Sequence, residues 1–263
     1  MSLRLLILGL VFAFLYGPIL WIVVFSFNEG RLVTLWSGFS TKWYGELLRN
    51  QRLIDAAGLS LVIAAVSATL ATILGALSGF ALARLGRFRG RLLFAGALGA
   101  VLTLPEVILG LAQLLAFVAL DDLPGWPDRG AATIVAAHAT LGMAYVALVV
   151  QARLADFDRS LEEAALDLGA TPAMVFATVT LPLILPALGG GWLIAFMLSL
   201  DDVVLASFVS GPGATTLPMV VFSSARLGLN PQINALATLM VGVGAIAVLS
   251  AVWLLGRRQE LRR

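Results

Sequence analysis

Cysteine is absent from the 263-residue chain, and its single histidine is His138. The absence of cysteine excludes disulfides, a thiol nucleophile and a thiolate metal site. No second histidine is present to share a metal with the first, which argues against a histidine-based zinc site. We therefore predict no metal site, and we expect His138 to be a buried, hydrogen-bonded residue rather than a ligand.

Charge is the second scarcity. Charged residues make up 12% of the chain and Lys42 is the only lysine, whereas an ordinary soluble domain is roughly 25% charged. Hydrophobic residues make up 60%, and the mean hydropathy is +0.99. This composition indicates an integral membrane protein. The net charge is only +2, and the basic residues flank apolar runs instead of forming a stripe. This pattern argues against nucleic acid as a partner.

Six apolar runs are long enough to cross a bilayer, for which about 20 residues suffice. They cover approximately residues 3–27, 56–83, 92–120, 131–150, 183–200 and 233–255. The fold prediction is therefore an all-α integral membrane protein with six transmembrane helices. Pro105 lies near the middle of the third run, so we expect that helix to be tilted or kinked there.

The basic residues predict how these helices are oriented. With the N-terminus inside, 11 of the 17 basic residues fall on the inner side, and the first outer loop holds four others. The positive-inside rule then places both termini, and the loop between the fourth and fifth runs, in the cytoplasm. We divide the chain into residues 1–55 (first helix and outer loop), 56–256 (five further helices) and 257–263 (a basic cytoplasmic tail).

A polar interlude at residues 159–182 separates the fourth run from the fifth. Ser160 and Glu163 have the spacing of a capping box, which predicts a short helix beginning at Leu161. Gly169 then ends this helix, because glycine tolerates the left-handed conformation of a C-cap. One face of the helix is apolar, at positions with helical spacing: Leu161, Ala164, Ala165 and Leu168.

A second short helix is predicted after the glycine. Thr171 is a suitable N-cap and Pro172 a suitable first residue, because the missing amide costs little there. This helix must stop by Leu181, since Pro182 follows. The result is two short helices at a sharp bend, whose exposed alanines form a flat, narrow surface. Such a surface suits insertion into a groove on a partner protein, and a helix lying on lipid is the alternative.

Three carboxylates fall within or at the ends of the predicted membrane helices: Glu106, Asp201 and Asp202. An aspartate at the bilayer centre costs on the order of 3 kcal/mol, so we expect these side chains to face a cavity. Glu106 follows a helix-breaking proline, as in transporters that open backbone and carboxylates to a solute. The alternative for Glu106 is a structural carboxylate bonded to a neighbouring helix. The adjacent aspartates form either a cation-attracting mouth or a solvated helix end.

Almost no basic residues accompany these acids in the same helices, which suggests a cationic solute. The aromatic residues Tyr145, Trp192 and Phe196 either add cation–π contacts to an ammonium group or pack between helices. We assign four residues to a candidate substrate pathway: Glu106, Tyr145, Asp201 and Asp202.

The interlude also carries a spaced motif, made of Glu163, Ala164, Ala165, Gly169, Val179, Leu181 and Pro182. It resembles the EAA loop of type I ABC importer permeases, EAA-x3-G-x9-I-x-LP, with valine in place of isoleucine. In that family the loop is the coupling helix that docks in a cleft of the ATPase subunit. The resemblance implies an ABC type I transmembrane domain over residues 56–256, with a cytoplasmic coupling loop at 154–182. The residues it implies for ATPase coupling are Glu162, Glu163, Ala164, Ala165, Gly169, Leu181 and Pro182.

Segments outside the loop extend the resemblance over nearly the whole chain. LPEVILG, AHATLGMAYV, SLDDVVLASFVSGPG and RLGLNPQINA look like the permeases of spermidine/putrescine importers. The resemblance implies a permease of the bacterial inner membrane that forms half of a polyamine pathway, with residues 28–55 as a periplasmic loop. The implied partners are a homologous second permease, an ABC ATPase dimer, a periplasmic substrate-binding protein and membrane lipid. Importers of other amines or of aminophosphonates are the alternative.

The chain has no GxxxxGK[ST] sequence and so cannot cradle nucleotide phosphates. We therefore expect ATP and Mg to be bound by the partner ATPase, with no cofactor and no catalytic residue in this chain.

An ion-coupled secondary transporter is a competing class, which the capped cytoplasmic loop disfavours. An intramembrane enzyme would need a serine with a histidine base or paired aspartates, and no GxSxG nucleophile motif accompanies His138.

Overall fold

A computed structural model describes residues 3–32, 35–121, 123–227 and 231–242. Within these ranges the chain is helical, and its one extended pairing is an antiparallel bridge between Asn28 and Phe39. The predicted all-α class is therefore confirmed. The helices are α1 Leu3–Phe25, α2 Lys42–Leu47, α3 Gln51–Arg84, α4 Arg91–Thr103, α5 Glu106–Leu120, α6 Ala131–Ala155, α7 Ser160–Asp167, α8 Pro172–Val175, a π segment Phe176–Thr180, α9 Leu181–Asp201, α10 Val204–Val209, α11 Leu217–Leu227 and α12 over 231–242.

Among the described residues, four helical stretches are long and apolar enough to cross a membrane. They are Arg4–Phe25, Gln51–Arg84, Ala131–Ala155 and Pro172–Asp201, the last made of α8, the π segment and α9. They correspond to the first, second, fourth and fifth predicted runs. The sixth predicted run, about 233–255, is described only as far as residue 242, and the predicted tail 257–263 lies outside the described residues.

The third predicted run differs from the expectation of one kinked helix. It consists of two separate helices, α4 with 13 residues and α5 with 15. Leu104 and Pro105 between them have extended backbone, with ψ of 142° and 139°. Proline disfavours helical conformation in the residue before it, so the chain leaves the helix at Leu104 and starts a new one after the ring. Glu106 is consequently the first residue of a helix instead of a mid-helix residue.

The chain divides into two compact units, one of which is Ala56–Val220. The other contains the described parts of Met1–Asp55 and Val221–Arg263. In this second unit the loop after α1 is folded around the buried side chain of Asn28. Its Nδ2 donates to the carbonyls of Leu32 and Leu35, at 3.1 and 2.8 Å, and its Oδ1 accepts from the Ser37 amide at 2.8 Å. The loop is thus held by satisfied polar contacts instead of apolar packing alone.

The core of the unit Ala56–Val220 is built around α6, which packs against α3 and α9. Its buried apolar side chains come from all three helices and include Ala68, Ala71, Val146, Val150, Leu154, Ile184 and Ala195. Close approach of α3 to α6 depends on Gly75 and Gly79. A Cβ at Gly75 would lie 2.5 Å from Cβ of Val146, and one at Gly79 would lie 2.8 Å from the carbonyl oxygen of Ala147. The small-residue spacing in this run therefore brings two backbones together, as it does between membrane helices generally.

Candidate functional site

The bend between α6 and α9 begins with a cap that differs from the predicted capping box. The helix starts at Ser160, one residue earlier than predicted, and Ser160 does not cap it. Instead the Ser160 amide donates to Oδ1 of Asp158 at 2.9 Å. The Ser160 hydroxyl also bonds to this carboxyl, and the bonds from the amide and the hydroxyl lower the pKa of Asp158. The prediction was wrong because an aspartate two residues upstream competes with the serine for the same role.

The end of α7 is as predicted. Gly169 has a φ of +87°, in the left-handed region that glycine adopts without a steric penalty. The Ala170 amide donates to the Ala165 carbonyl at 3.1 Å, and the Gly169 amide donates to the Leu166 carbonyl at 2.9 Å. This pair of hydrogen bonds is a Schellman motif, which satisfies the last carbonyls of the helix and turns the chain sharply.

The start of α8 also agrees with the prediction. Thr171 has extended backbone, and its Oγ1 accepts a hydrogen bond from the Met174 amide at 3.3 Å. Pro172 occupies the first position of the helix, where its ring fits and no donor is lost. Local rules for caps are therefore sufficient to define both sides of this bend.

The predicted stop at Leu181 is wrong, because the helix continues through Pro182. Residues 172–201 are helical without interruption, and the five residues Phe176–Thr180 form a π segment. A π-helix bonds residue i to residue i+5, so it shifts the hydrogen-bond register just before the proline. Pro182 follows this segment as the second residue of α9.

The outer surface of α7 is open. None of its residues is buried, and Glu163 and Ala164 are both exposed. The predicted apolar face does not pack inward either, since Leu161 is 51% exposed and Leu168 is 89% exposed. A short helix with an exposed apolar face is the kind of element that can bind in a groove of another protein.

Glu162 is the exception on α7, because its side chain is turned inward. Its Oε2 lies 2.9 Å from Nε of Arg84, the last residue of α3. Its Oε1 accepts a hydrogen bond from Oγ1 of Thr180 at 2.8 Å. A cavity of about 310 Å³ beside this pair is bordered by α3, α7, α8 and the π segment. Sequence reasoning missed Arg84 as a site residue, and the only signal was its membership of the arginine cluster that ends the second run.

The predicted pathway residues lie in different environments. Glu106 begins α5 and is exposed, and it makes no side-chain hydrogen bond or ion pair among the described residues. Asp201 ends α9 and is also exposed. Tyr145 is half-buried and packs against an apolar cluster that includes Leu109 and Leu205. The structure describes no contact that brings these three side chains together.

Asp202 differs from its neighbour because it is buried and paired. Its Oδ2 lies 3.1 Å from Nε2 of His138 and accepts the Ala206 amide at 2.7 Å, and its Oδ1 accepts the Leu205 amide at 3.2 Å. The carboxylate thus caps α10 and holds it to α6. The prediction of His138 as a buried, hydrogen-bonded residue is confirmed, and a solvated helix end is not what the structure shows for Asp202.

The same histidine contacts a serine, which bears on the enzyme alternative. Nδ1 of His138 lies 2.6 Å from Oγ of Ser199, so serine, histidine and aspartate form a chain of contacts. Ser199 is 7% exposed, lies inside α9, and has the hydroxyl of Ser67 3.0 Å away. A nucleophilic serine needs access to a substrate carbonyl and a donor pair for the oxyanion. The buried position in a continuous helix indicates a structural network.

Known proteins resemble this chain along nearly its full length. Residues 71–260 match the family model described as "Binding-protein-dependent transport system inner membrane component". The putrescine transport system permease protein PotI of Escherichia coli strain K12 is 57% identical over 260 residues, which cover 98% of this chain and 92% of that protein. The spermidine/putrescine transport system permease protein PotC of the same strain is 38% identical over 242 residues, covering 92% and 89%.

Solved structures show the same fold at lower identity. A chain of a bacterial ABC transporter involved in the import of the acidic polysaccharide alginate superimposes with a TM-score of 0.71 at 18% identity, covering 95% of this chain and 94% of that one. A chain of the MetNI methionine ABC transporter gives a TM-score of 0.59 at 19% identity, covering 78% and 93%. The solved structures establish the fold, and the family model and the sequence relatives establish the family.

Proposed function

The chain belongs to the family of binding-protein-dependent transport system inner membrane components, and from this premise we propose that it is one permease of an ATP-driven importer for putrescine or a closely related polyamine. As a member of the family it is a transport subunit of the inner membrane, with several helices long enough to span it.

The observation that carries the coupling role is the exposed surface of α7. Glu163 and Ala164 face outward from a helix that is fixed at both ends, by the Asp158 cap and by the Gly169 turn. Ala164 has no side-chain rotamer freedom to lose, which lowers the entropic cost of docking in a groove. We assign it to a cleft on an ABC ATPase that binds ATP and Mg, since this chain has no phosphate-binding loop.

In the proposed assembly this chain forms half of the pathway, so a second permease must supply the other half. The assembly contains this chain, a homologous second permease, two ATPase subunits and a periplasmic substrate-binding protein. The α7–α8 bend lies on the cytoplasmic side in this arrangement, together with both termini, in keeping with the distribution of arginines. ATPase closure then changes the relative stability of two helix arrangements, which opens the pathway first to one side and then to the other.

A cationic substrate is supported by the two exposed carboxylates at helix ends, Glu106 and Asp201. Both are free of described ion-pair partners, so their charge is available to an ammonium group. The names of the relatives PotI and PotC point to putrescine and spermidine. The buried Asp202 has its carboxylate occupied by His138 and two amides, so we assign it an indirect part, that of holding α10 beside the pathway.

Purification of the intact complex from its native membrane tests this proposal. We expect an ABC ATPase and a second permease to co-purify with the chain. In proteoliposomes, ATP hydrolysis should rise when the binding protein is loaded with putrescine, and should stay basal when 2-aminoethylphosphonate is offered instead. Stimulation by the phosphonate alone would reassign the substrate. Uptake by this chain without partners, driven by an ion gradient and indifferent to ATP, would overturn the importer assignment.

A further inference from the structure

Two adjacent glutamates on α7 have opposite surroundings. The Glu163 side chain is exposed on the outer surface, whereas the Glu162 side chain is 14% exposed and contacts an Arg84 side chain that is 9% exposed. Only the outward glutamate is positioned to meet a docking partner. The inward glutamate must therefore act within this chain.

The inward carboxylate joins three elements. Nε of Arg84 lies 2.9 Å from Oε2 and 3.3 Å from Oε1 of Glu162, which ties α7 to the C-terminal end of α3. Thr180 donates to Oε1 at 2.8 Å, which ties α7 to the last residue of the π segment before α9. We call this set of three residues, Arg84, Glu162 and Thr180, the clamp.

A second contact fastens the same pair of elements. Nη2 of Arg159, the N-cap of α7, donates to the carbonyl of Ala83 at 2.9 Å. The last turn of α3 is therefore held by two residues at the N-terminal end of α7, Arg159 and Glu162. Because charged hydrogen bonds between nearly buried groups are strong and costly to break, this junction resists bending.

The clamp leads directly into the transmembrane core. Arg84 ends α3, a helix of 34 residues that packs closely on α6 through Gly75 and Gly79. Displacement of α7 by a docked partner therefore displaces α3, and α3 cannot slide freely past α6. This contiguous set of contacts is a physical route from the loop to the membrane helices.

We propose that Arg84 is a positioning residue for energy coupling: with Glu162 and Thr180 it makes α7 and the end of α3 one rigid body, so that movement of the ATPase cleft is transmitted to the transmembrane helices. This inference rests on the proposed importer function and deepens it. It predicts that loss of the clamp separates ATP hydrolysis from transport without separating the ATPase from the permease.

The first experiment measures uptake per ATP hydrolysed in proteoliposomes containing the whole complex, with putrescine-loaded binding protein. For Arg84→Gln we expect the ATPase to remain bound and hydrolysis to continue, while uptake per ATP falls about tenfold, within the usual range of allosteric coupling. Arg84→Lys retains the charge and should recover part of the loss. Arg87→Gln is the matched control, because Arg87 is exposed in the loop that follows α3 and should leave the ratio unchanged.

The second experiment uses the absence of cysteine from the chain. Arg84→Cys and Glu162→Cys are combined, with cysteine-free partner subunits, and joined by a flexible bifunctional thiosulfonate that replaces the two long side chains. A rigid body predicts low uptake per ATP before linking, recovery after linking, and loss again on reduction. The single-cysteine variants, treated in the same way, should show no recovery.

The outcomes distinguish failure of the clamp from failure of the proposed importer function. If no ATPase co-purifies with the unaltered chain, the proposed importer function fails before the clamp is tested. If the complex forms but Arg84→Gln transports at the unaltered ratio, or if the linked variant hydrolyses ATP without any uptake, the clamp is refuted and the importer function stands. Thr180→Val removes a single hydrogen bond and gives a milder version of the first test should the arginine variant fail to assemble.

Discussion

Nε2 of His138 on α6 lies 3.1 Å from Oδ2 of Asp202, although the two residues are 64 positions apart in sequence. Both are buried, with exposures of 5% and 8%. A carboxylate buried away from water needs hydrogen-bond donors. Two donors to Asp202 are the backbone amides of Leu205 and Ala206, and the third partner is the imidazole of His138. The contact joins the break between α9 and α10 to the most buried helix of the unit.

We predict that His138→Leu destabilises the protein, because it leaves one side of the buried Asp202 carboxylate without a donor. The expected cost is about 1–3 kcal/mol, which a titration with denaturing detergent measures on the purified complex. Asp201→Asn is the matched control, since that neighbour is exposed and should leave the midpoint unchanged. An unaltered midpoint for the histidine variant would contradict a structural role for the pair.

Close packing of α3 on α6 gives a second prediction. Gly75→Ala places a Cβ against Val146 at a distance that no relaxed structure allows, so the helices must move apart. Overpacking of this kind costs about 1–3 kcal/mol. Gly58→Ala on the same helix meets nothing within 4 Å and should be neutral or slightly stabilising. Equal unfolding midpoints for the two variants would mean that the interface is looser than described.

The turn at Gly169 gives a third prediction, on activity. Gly169→Asp places a side chain at a φ of +87° and a charge at the end of the docking surface, so uptake should fall at least tenfold while the binding protein still delivers putrescine to the outer face. Gly86→Ala imposes a comparable backbone penalty at a φ of +64° outside the loop and should transport normally. Normal transport by Gly169→Asp would count against docking through α7.

The exposed carboxylates give a fourth prediction. Glu106→Gln and Asp201→Asn should each reduce putrescine uptake about fivefold, which corresponds to the roughly 1 kcal/mol of an exposed charge contact. The loss should shrink at high ionic strength, because salt screens exposed charges. Asp121→Asn, at the opposite end of α5, is the control. Unchanged uptake in both variants would show that these acids are structural or simply solvated.

Local sequence rules predicted the turn between α7 and α8 correctly. They predicted none of the side-chain contacts between residues far apart in sequence. Gly169, Thr171 and Pro172 each impose a conformation by themselves, so the turn between α7 and α8 follows from the sequence. The basic partner of Glu162, Arg84, and the ring partner of Asp202, His138, are 78 and 64 residues away, and both contacts depend on how helices pack. Their side chains therefore acquire their roles only in the folded chain.

Three predictions of helix boundaries were wrong for local physical reasons. Ser160 did not cap α7 because Asp158 was the stronger local acceptor, and Pro182 did not end its helix because the preceding turn widened. Pro105 separated two helices where a kink was expected. In the first two cases the backbone satisfied its hydrogen bonds in another way, through the Asp158 carboxylate and through the π segment. In the third, the proline ring held Leu104 in an extended conformation.

The widened turn at Phe176–Thr180 also fixes an angle. Each residue of an α-helix advances the chain by roughly 100° around the axis, so the additional residue of a π turn rotates everything before it by about that amount. Deleting one residue from this segment would restore α-helical hydrogen bonding and rotate the α7–α8 bend by roughly 100° around the axis of α9. The direction in which α7 faces around the axis of α9 therefore depends on the number of residues in the π segment.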